Sequence, residues 1–136
     1  MKEIKGALFT DDRGTLRFVN DFNFEGVKRF YQVENHEKGF IRAWHGHKKE
    51  GKYVYVPKGS ISLGIVNMET EEINKFVLSD TSPKILWIPP GNYNGFKTLE
   101  EDTIVIFFST VTMEEGKGDD FRESYNKWDI WDIEYR

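Results

Sequence analysis

Three histidines within twelve residues, His36, His45 and His47, are the side chains of this chain best suited to chemistry. A single residue separates His45 from His47, and alternate residues of a β-strand point to the same face of a sheet. Two imidazoles on one face can bind a metal or transfer protons near neutral pH. They can equally be two polar residues on an exposed face, so the pair alone leaves both interpretations open.

The surroundings of the two histidines nearly match the metal-binding pattern of the cupin superfamily: a glycine, five residues, His-x-His, a glutamate, and later Pro-x-Gly-x-x-His. Gly39 fits, but Glu50 comes one residue too early and Asn94 stands where the last histidine belongs. The chain has no cysteine, which excludes thiolate ligands, disulfides and cysteine nucleophiles. Because a divalent transition metal prefers three or four firm ligands, we expect no metal site and no cofactor.

The elements that must position these histidines are short β-strands. Turn-forming residues separate the apolar segments, as at 11–14, 57–59 and 89–92. Residues 60–65 alternate small and apolar side chains at a period of two, and residues 128–135 alternate well enough for a last strand. Many short strands with few helices predict a β-sandwich or barrel. The small face of Ser60, Ser62 and Gly64 predicts free volume inside it, where a ligand would bind.

Length and composition predict one soluble globular domain over residues 1–136. Hydrophobic residues make up 38% and charged residues 31% of the chain, and the mean hydropathy is -0.60. The net charge of -4 argues against nucleic-acid binding, which needs a basic face. No apolar run approaches the roughly 20 residues of a membrane span, so no membrane association is expected. The first residues lack the apolar stretch of a signal peptide, and we therefore expect a cytoplasmic location.

Four segments, in order, resemble the dTDP-4-dehydrorhamnose 3,5-epimerase family of nucleotide-sugar enzymes. Residues 11–16 resemble its Asp-x-Arg-Gly-x-Phe motif, and residues 30–36 resemble its Gln-x-Asn segment. Residues 38–45 resemble Lys-Gly-x-x-Arg-Gly-x-His, with residues 51–52 in place of a later Gly-Lys, and residues 87–96 resemble Trp-Ile-Pro-x-Gly-x-x-His-Gly-Phe. The resemblance implies an all-β cupin fold, a jelly-roll barrel of antiparallel strands, in a metal-independent and usually homodimeric enzyme.

The resemblance also implies a reaction on a nucleoside-diphosphate 4-keto-6-deoxyhexose, in deoxysugar and surface polysaccharide biosynthesis. The ketone acidifies the neighbouring C–H bonds, so a base can remove a proton at C3 or C5 and leave an enolate. His45 matches the family's base, oriented by a tail carboxylate, Asp129 or Asp132. Lys52, together with His47, is expected to hold the enolate oxygen. The residues expected to bind the substrate are Arg13, Gln32, Asn35, Arg42 and Asn94.

Arg42 can share a face with His45 only if the strand is interrupted between them. Strict alternation points residues three apart to opposite faces, so the expected role of Arg42 requires a β-bulge or a strand end. Its value would be chemical, because the guanidinium fork donates two parallel hydrogen bonds to a phosphate. Arg13 is expected to contact the diphosphate in the same way.

A second family, the sugar 3,4-ketoisomerases, shares part of this pattern. Residues 42–48 resemble its Arg-Gly-x-His-Ala-His-Lys phrase better than they resemble the epimerase motif. Residues 32–35 and 87–91 favour the epimerase instead. The epimerase interpretation is therefore preferred, with 3,4-ketoisomerisation of the same substrate class as the alternative.

The chain departs from the epimerase pattern at the proton donor. The family's acid is a tyrosine that falls at Phe107 or Phe108, and neither phenylalanine can give a proton. Tyr55, Tyr93 or a water molecule would have to replace it. A non-catalytic sugar-nucleotide binder on the same scaffold is the third interpretation that the sequence leaves open.

Overall fold

The computed structural model describes residues 1–136 as twelve β-strands without a helix. The strands are β1 (Lys2–Lys5), β2 (Ala7–Asp11), β3 (Gly14–Phe18), β4 (Arg29–Glu34), β5 (Ile41–His47), β6 (Lys52–Lys58), β7 (Ser60–Asn67), β8 (Ile73–Ser79), β9 (Lys84–Ile88), β10 (Asn92–Thr98), β11 (Ile104–Ser109) and β12 (Phe121–Arg122). No helix long and apolar enough to cross a membrane is found.

Ten of the strands form two antiparallel sheets of five strands each. The first sheet has the order β1-β9-β6-β11-β4, and the second has the order β12-β5-β10-β7-β8. Strands that are distant in sequence are neighbours in both sheets, as a jelly roll requires. A cluster of 11 buried hydrophobic residues contributed by both sheets forms the main core. The predicted all-β cupin barrel is thereby confirmed.

Alternation within the strands decides which side chains reach the space between the sheets. In β11, Val105 and Phe107 are buried in the core cluster. In β6, Val54 and Val56 are buried there in the same way. Lys52 begins β6 two residues before Val54, so its side chain lies on the same inward face. A lysine at the end of an otherwise apolar face marks the place where the core gives way to a charged site.

A β-bulge interrupts β5 at the position that the sequence requires. Ala43 and Trp44 of β5 together lie opposite the single Gly95 of β10. The extra residue reverses the alternation, so Arg42 and His45 line the same cavity. Gly95 permits this close pairing, because a Cβ atom there would lie 2.5 Å from the Cβ of Ala43.

The C-terminal tail covers the outer face of the second sheet. Beyond β12, the rings of Trp128 and Trp131 pack against Trp44 at centroid distances of 5.7 and 5.1 Å. Trp131 is only 3% exposed. The prediction of a final strand over residues 128–135 is wrong, because these indole rings pack on the face of the sheet and the backbone does not extend a sheet edge.

The small residues of β7 do not surround free volume. Ser60, Ser62 and Gly64 alternate with apolar residues that fill the core, so they lie on the opposite face of the strand. A Cβ atom on Gly64 would lie 2.5 Å from the Cδ1 atom of Ile130 and 2.6 Å from the ring of Trp44. The tail and β5 therefore fill this side, and the prediction that these residues line a ligand cavity is wrong.

Strands β2 and β3 form a separate hairpin outside both sheets. Its Phe9 and Leu16 are 59% and 61% exposed. Arg13, at the turn, pairs with Asp11 at 2.6 Å and points into solvent. The hairpin therefore presents apolar surface that a single chain leaves uncovered.

Candidate active site

A cavity of about 390 Å³ is lined by strands of both sheets and by the segment that leads into β12. Its size falls in the usual range for sites that bind small ligands. Five of the predicted site residues line it: Arg42, His45, His47, Lys52 and Asn94. The structure therefore brings together the proposed base, the proposed enolate-binding lysine and part of the expected substrate-binding set.

His45 lies half-buried on the cavity side of β5. Burial lowers its pKa to about 4, and the positive charges of Arg122 and Lys52 act in the same direction. The nearby Asp120 carboxylate partly opposes them. The imidazole is therefore neutral at neutral pH and has a lone pair that can accept a proton.

The Lys52 ammonium lies at the inner end of the cavity between a carboxylate and two aromatic rings. Its Nζ atom is 3.3 Å from Oε2 of Glu50. The same atom lies 5.6 Å from the ring centroid of Tyr31 and 5.5 Å from that of Phe107. Because few water molecules can surround a cation held in this way, its attraction for a developing negative charge is stronger than at the surface.

The His47 ring is held by protein atoms on both sides. Its Nδ1 atom lies 2.6 Å from the backbone carbonyl oxygen of Asp119, and its Nε2 atom lies 3.6 Å from Oε2 of Glu50. The Nε2 atom is buried and makes no hydrogen bond. This geometry favours a role in holding the site together over the expected contact with the substrate's oxygen, and the catalytic role of His47 stays a prediction.

Glu50 is a buried carboxylate of the site, and the sequence analysis treats it only as a misplaced metal ligand. Its residue is 6% exposed, and its side chain faces Arg29, Lys52 and His47. The Arg29 contact joins Nη2 to Oε1 at 3.3 Å. No sequence motif marks Glu50, because its partners come from separate strands.

Asp119 fixes the turn between β5 and β6. Its carboxylate accepts hydrogen bonds from the backbone N–H groups of Lys48, Lys49 and Glu50, at 2.7, 2.9 and 3.0 Å. Burial alone would raise the pKa of Asp119, but these three donors outweigh it and hold the pKa below its ordinary value. The loop before β12 thereby locks the turn that carries Glu50.

Asp120 and Arg122 form a two-contact ion pair at the cavity wall. The Arg122 Nε and Nη2 atoms donate to the two Asp120 oxygens at 2.9 and 3.1 Å. Hydrogen bonding by Arg122 holds the pKa of Asp120 below its ordinary value. Arg122 pairs directly with His45 across β12 and β5, which places this charge pair beside the base. The tail residues Asp129 and Asp132 do not line the cavity.

The expected substrate-binding amides have different surroundings. Asn94 is 4% exposed, pairs with His45 across β10 and β5, and donates from Nδ2 to the His45 carbonyl oxygen at 3.2 Å. Asn35 accepts a 2.6 Å hydrogen bond from Nε of Arg42 and does not itself line the cavity. Asn35 therefore orients Arg42, while Asn94 forms part of the wall.

Two of the residues expected to bind the substrate lie outside the cavity of their own chain. Gln32 donates to Glu34 at 2.8 Å on the exposed face of β4. Arg13 sits at the tip of the β2–β3 hairpin, with its side chain 84% exposed. The structure does not bring either residue to His45 in a single copy of the chain.

Tyr31 is the only tyrosine that lines the cavity, and sequence reasoning did not consider it as a proton donor. It pairs with Phe107 across β4 and β11, and the two rings stack at 5.1 Å with an interplanar angle of 16°. Tyr93 packs instead on the outer face of the second sheet against Trp128. Tyr31 thus presents a phenol beside Phe107, one of the two phenylalanines at which the family's tyrosine is expected.

The fold and the cavity define a small jelly-roll protein with a neutral histidine and a lysine in one cation-rich site. Residues 1–130 match the family model described as dTDP-4-dehydrorhamnose 3,5-epimerase. The chain belongs to this family. Since the family consists of isomerases, the protein is an enzyme that epimerises or isomerises deoxysugars, and the non-catalytic interpretation is set aside.

Several known proteins are similar to this chain over most of its length. The chain is 31% identical to dTDP-4-dehydrorhamnose 3,5-epimerase from Sulfolobus tokodaii, covering 96% of this chain and 80% of that one with a TM-score of 0.79. It is 24% identical over 138 residues to the spore coat polysaccharide biosynthesis protein SpsL of Bacillus subtilis, which covers 93% of this chain and 91% of that protein. A variant of the 3,4-ketoisomerase QdtA from Thermoanaerobacterium thermosaccharolyticum, in complex with TDP-4-keto-6-deoxyglucose, has 20% identity and a TM-score of 0.70, covering 93% and 88% of the two chains.

No group of three or more histidine, aspartate or glutamate side chains is arranged to hold a metal ion. Glu50 is engaged by cationic side chains, and Asp119 is engaged by backbone N–H groups. Metal independence stays a prediction, which chelation can test.

Proposed function

We propose that this protein moves a proton next to the ketone of a nucleoside-diphosphate 4-keto-6-deoxyhexose and inverts C3, C5 or both. The observation that carries the proposal is the placement of neutral His45 and cationic Lys52 in one cavity. The name of the Bacillus subtilis relative supports a place in surface polysaccharide biosynthesis. A cytoplasmic location remains our expectation for such an enzyme.

The first step transfers the C–H proton to the neutral ring of His45. The electron pair of that bond moves into the C–C bond, and the carbonyl π electrons move onto the oxygen to form an enolate. The Lys52 ammonium stabilises this negative oxygen at the moment it forms. Delivery of a proton to the opposite face of the same carbon then regenerates the ketone with inverted configuration.

We propose Tyr31 as the donor on the opposite face. Tyr31 is the only tyrosine that lines the cavity, and its ring lies 5.6 Å from the Lys52 ammonium and stacks on Phe107 at 5.1 Å. The Tyr31→Phe variant should still wash deuterium from solvent into the substrate through His45, but it should form little inverted product. Equal losses of washout and inversion would contradict this assignment.

The alternative is 3,4-ketoisomerisation of the same substrate class. It needs the proton to return to the neighbouring carbon, so one base on one face is sufficient. The phenylalanine at position 107 and the His45-Gly46-His47 phrase favour it, as does the likeness to the QdtA complex. The position of the ketone in the product, read by NMR with TDP-4-keto-6-deoxyglucose, decides between the two reactions.

We also propose that the enzyme is a homodimer. Phe24 and Phe30 on the outer surface are 63% and 67% exposed, in addition to the apolar hairpin described above. Arg13, expected to contact the diphosphate, lies outside its own chain's cavity, and a second copy can supply it. Light scattering at micromolar concentration should give twice the chain mass. A strictly monomeric mass would contradict this proposal.

A further inference from the structure

We propose that Glu50 is the positioning residue of the site, which holds the Lys52 ammonium and the His47 ring in one buried network with a proton between Glu50 Oε2 and His47 Nε2. The catalytic consequence rests on the proposed function, whereas the network itself does not. Glu50 lies at the cavity wall and would act through Lys52.

Glu50 is a buried, charged side chain that several partners hold. The Glu50 side chain is 5% exposed, and a carboxylate this deeply buried is unfavourable unless it is paired. Its pairs come from three directions: Arg29 on β4, Lys52 at the start of β6 and His47 at the end of β5. One carboxylate thereby joins strands of both sheets at the cavity.

The atoms that face the His47 ring decide where its hydrogens are. Its Nδ1 atom faces a backbone carbonyl oxygen at 2.6 Å, and a carbonyl oxygen only accepts, so Nδ1 carries a hydrogen. Its Nε2 atom faces Glu50 Oε2 at 3.6 Å, which is ion-pair distance. The His47 Nε2 and Glu50 Oε2 atoms are both buried and have no hydrogen-bond partner. Two lone pairs facing each other would repel, and a single proton between them removes both deficits.

The Lys52 ammonium lies beside one carboxylate and two aromatic rings. Glu50 is the only carboxylate within ion-pair distance of its Nζ atom. The rings of Tyr31 and Phe107 attract the cation but do not fix the direction of its N–H groups. A lysine side chain has a flexible four-carbon stem with considerable rotamer freedom, so the attraction of this single carboxylate decides where the ammonium stays. The N–H groups of the ammonium are left for the substrate's oxygen.

Lys52 and His47, two members of the network, lower the pKa of His45, although burial is the larger cause. The charged groups that act on His45 are Arg122, Lys52, Asp120 and His47. Glu50 is the countercharge to Lys52 and His47.

The network is tested first on the wild-type protein by ¹⁵N NMR of the histidine rings, which requires no active substrate. We expect His47 to show a hydrogen bound at Nδ1 and a proton in slow exchange at Nε2 or on the Glu50 carboxyl. His36, exposed and outside the cavity, provides the reference for an unconstrained ring. A bare Nε2 together with an unprotonated Glu50 carboxylate at neutral pH would overturn the proposal.

The catalytic consequence is tested with Glu50→Gln, which keeps the shape and removes the charge. We expect kcat for proton exchange to fall on the order of 10²-fold, as for a displaced catalytic group, with KM little changed. Glu3→Gln, which breaks an exposed lysine pair at 3.1 Å, is the matched control and should exchange at the wild-type rate. An unchanged kcat in Glu50→Gln would overturn the positioning role.

A double variant separates action through Lys52 from general damage. If Glu50 acts through Lys52, then Lys52→Met with Glu50→Gln should be no slower than Lys52→Met alone. Independent, multiplying losses would refute action through Lys52. If wild-type enzyme exchanges no proton with any nucleotide 4-keto sugar, the proposed function fails, and the NMR result still decides the network.

Discussion

Replacing His45 by Asn removes the proposed base and leaves the rest of the cavity intact. His47 is the only histidine whose ring hydrogen-bonds to protein, so the substitution at His45 leaves no partner unsatisfied. The wild-type ring is neutral at neutral pH because its pKa is lowered to about 4, whereas an asparagine amide accepts no proton. Losing a positioned general base costs on the order of 10²–10⁴ in rate, or about 2.7–5.4 kcal/mol of transition-state stabilisation.

The assay is incorporation of solvent deuterium at C3 and C5 of the nucleotide 4-keto sugar, followed by NMR and mass spectrometry. The His45→Asn variant should lose exchange by the stated factor while KM changes little, because nucleotide and phosphate contacts dominate ground-state binding. His36→Asn makes the same chemical change at an exposed site outside the cavity and should exchange normally. If the His45→Asn variant exchanges at the wild-type rate, the reasoning is refuted, and another group of the cavity must be the base.

Three further outcomes follow from the same site. Lys52→Met should slow exchange on the order of 10²-fold or more with little change in KM, because it removes the cation that meets the enolate. Lys84→Met on β9, outside the cavity, is the control. A normal rate in Lys52→Met would show that another donor meets the oxygen. The exchange rate should stay level as the pH is lowered from neutral and should fall as His45 becomes protonated near its pKa of about 4, since only the neutral ring accepts a proton. A fall in rate near the ordinary pKa of histidine would contradict the lowered pKa. Dialysis against a chelator should leave the rate unchanged, and one tightly bound transition metal per chain whose removal abolishes exchange would count against metal independence.

Local patterns in the sequence were sufficient for the fold class and for the residues at the centre of the candidate site. Short apolar segments between turns predict strands, and an antiparallel jelly roll satisfies them. The His45-Gly46-His47 spacing places both rings on the cavity side of β5, and the need for a bulge before His45 followed from the expected role of Arg42. The same local rules failed in the tail, because alternation does not distinguish a strand in a sheet from tryptophans packed across the face of one.

Other members of the site depend on contacts between residues far apart in the sequence. Tyr31 becomes the cavity's phenol only because β4 pairs with β11, which stacks its ring on Phe107. Glu50 becomes a buried countercharge only because Arg29 arrives from β4 and because Asp119 locks its turn. Neither position carries a motif, since burial and partners are properties of the assembled sheets.

The sequence by itself determined the strand pattern, the family resemblance and the candidates His45 and Lys52, because these depend on residue types and on spacing along one backbone. The tertiary structure alone decided the protonation of His45, since its low pKa arises from burial and from charges on other strands. It also decided that Arg13 and Gln32 lie outside the cavity of their own chain. Electric fields and enclosure depend on distance through space, which the order of residues does not specify.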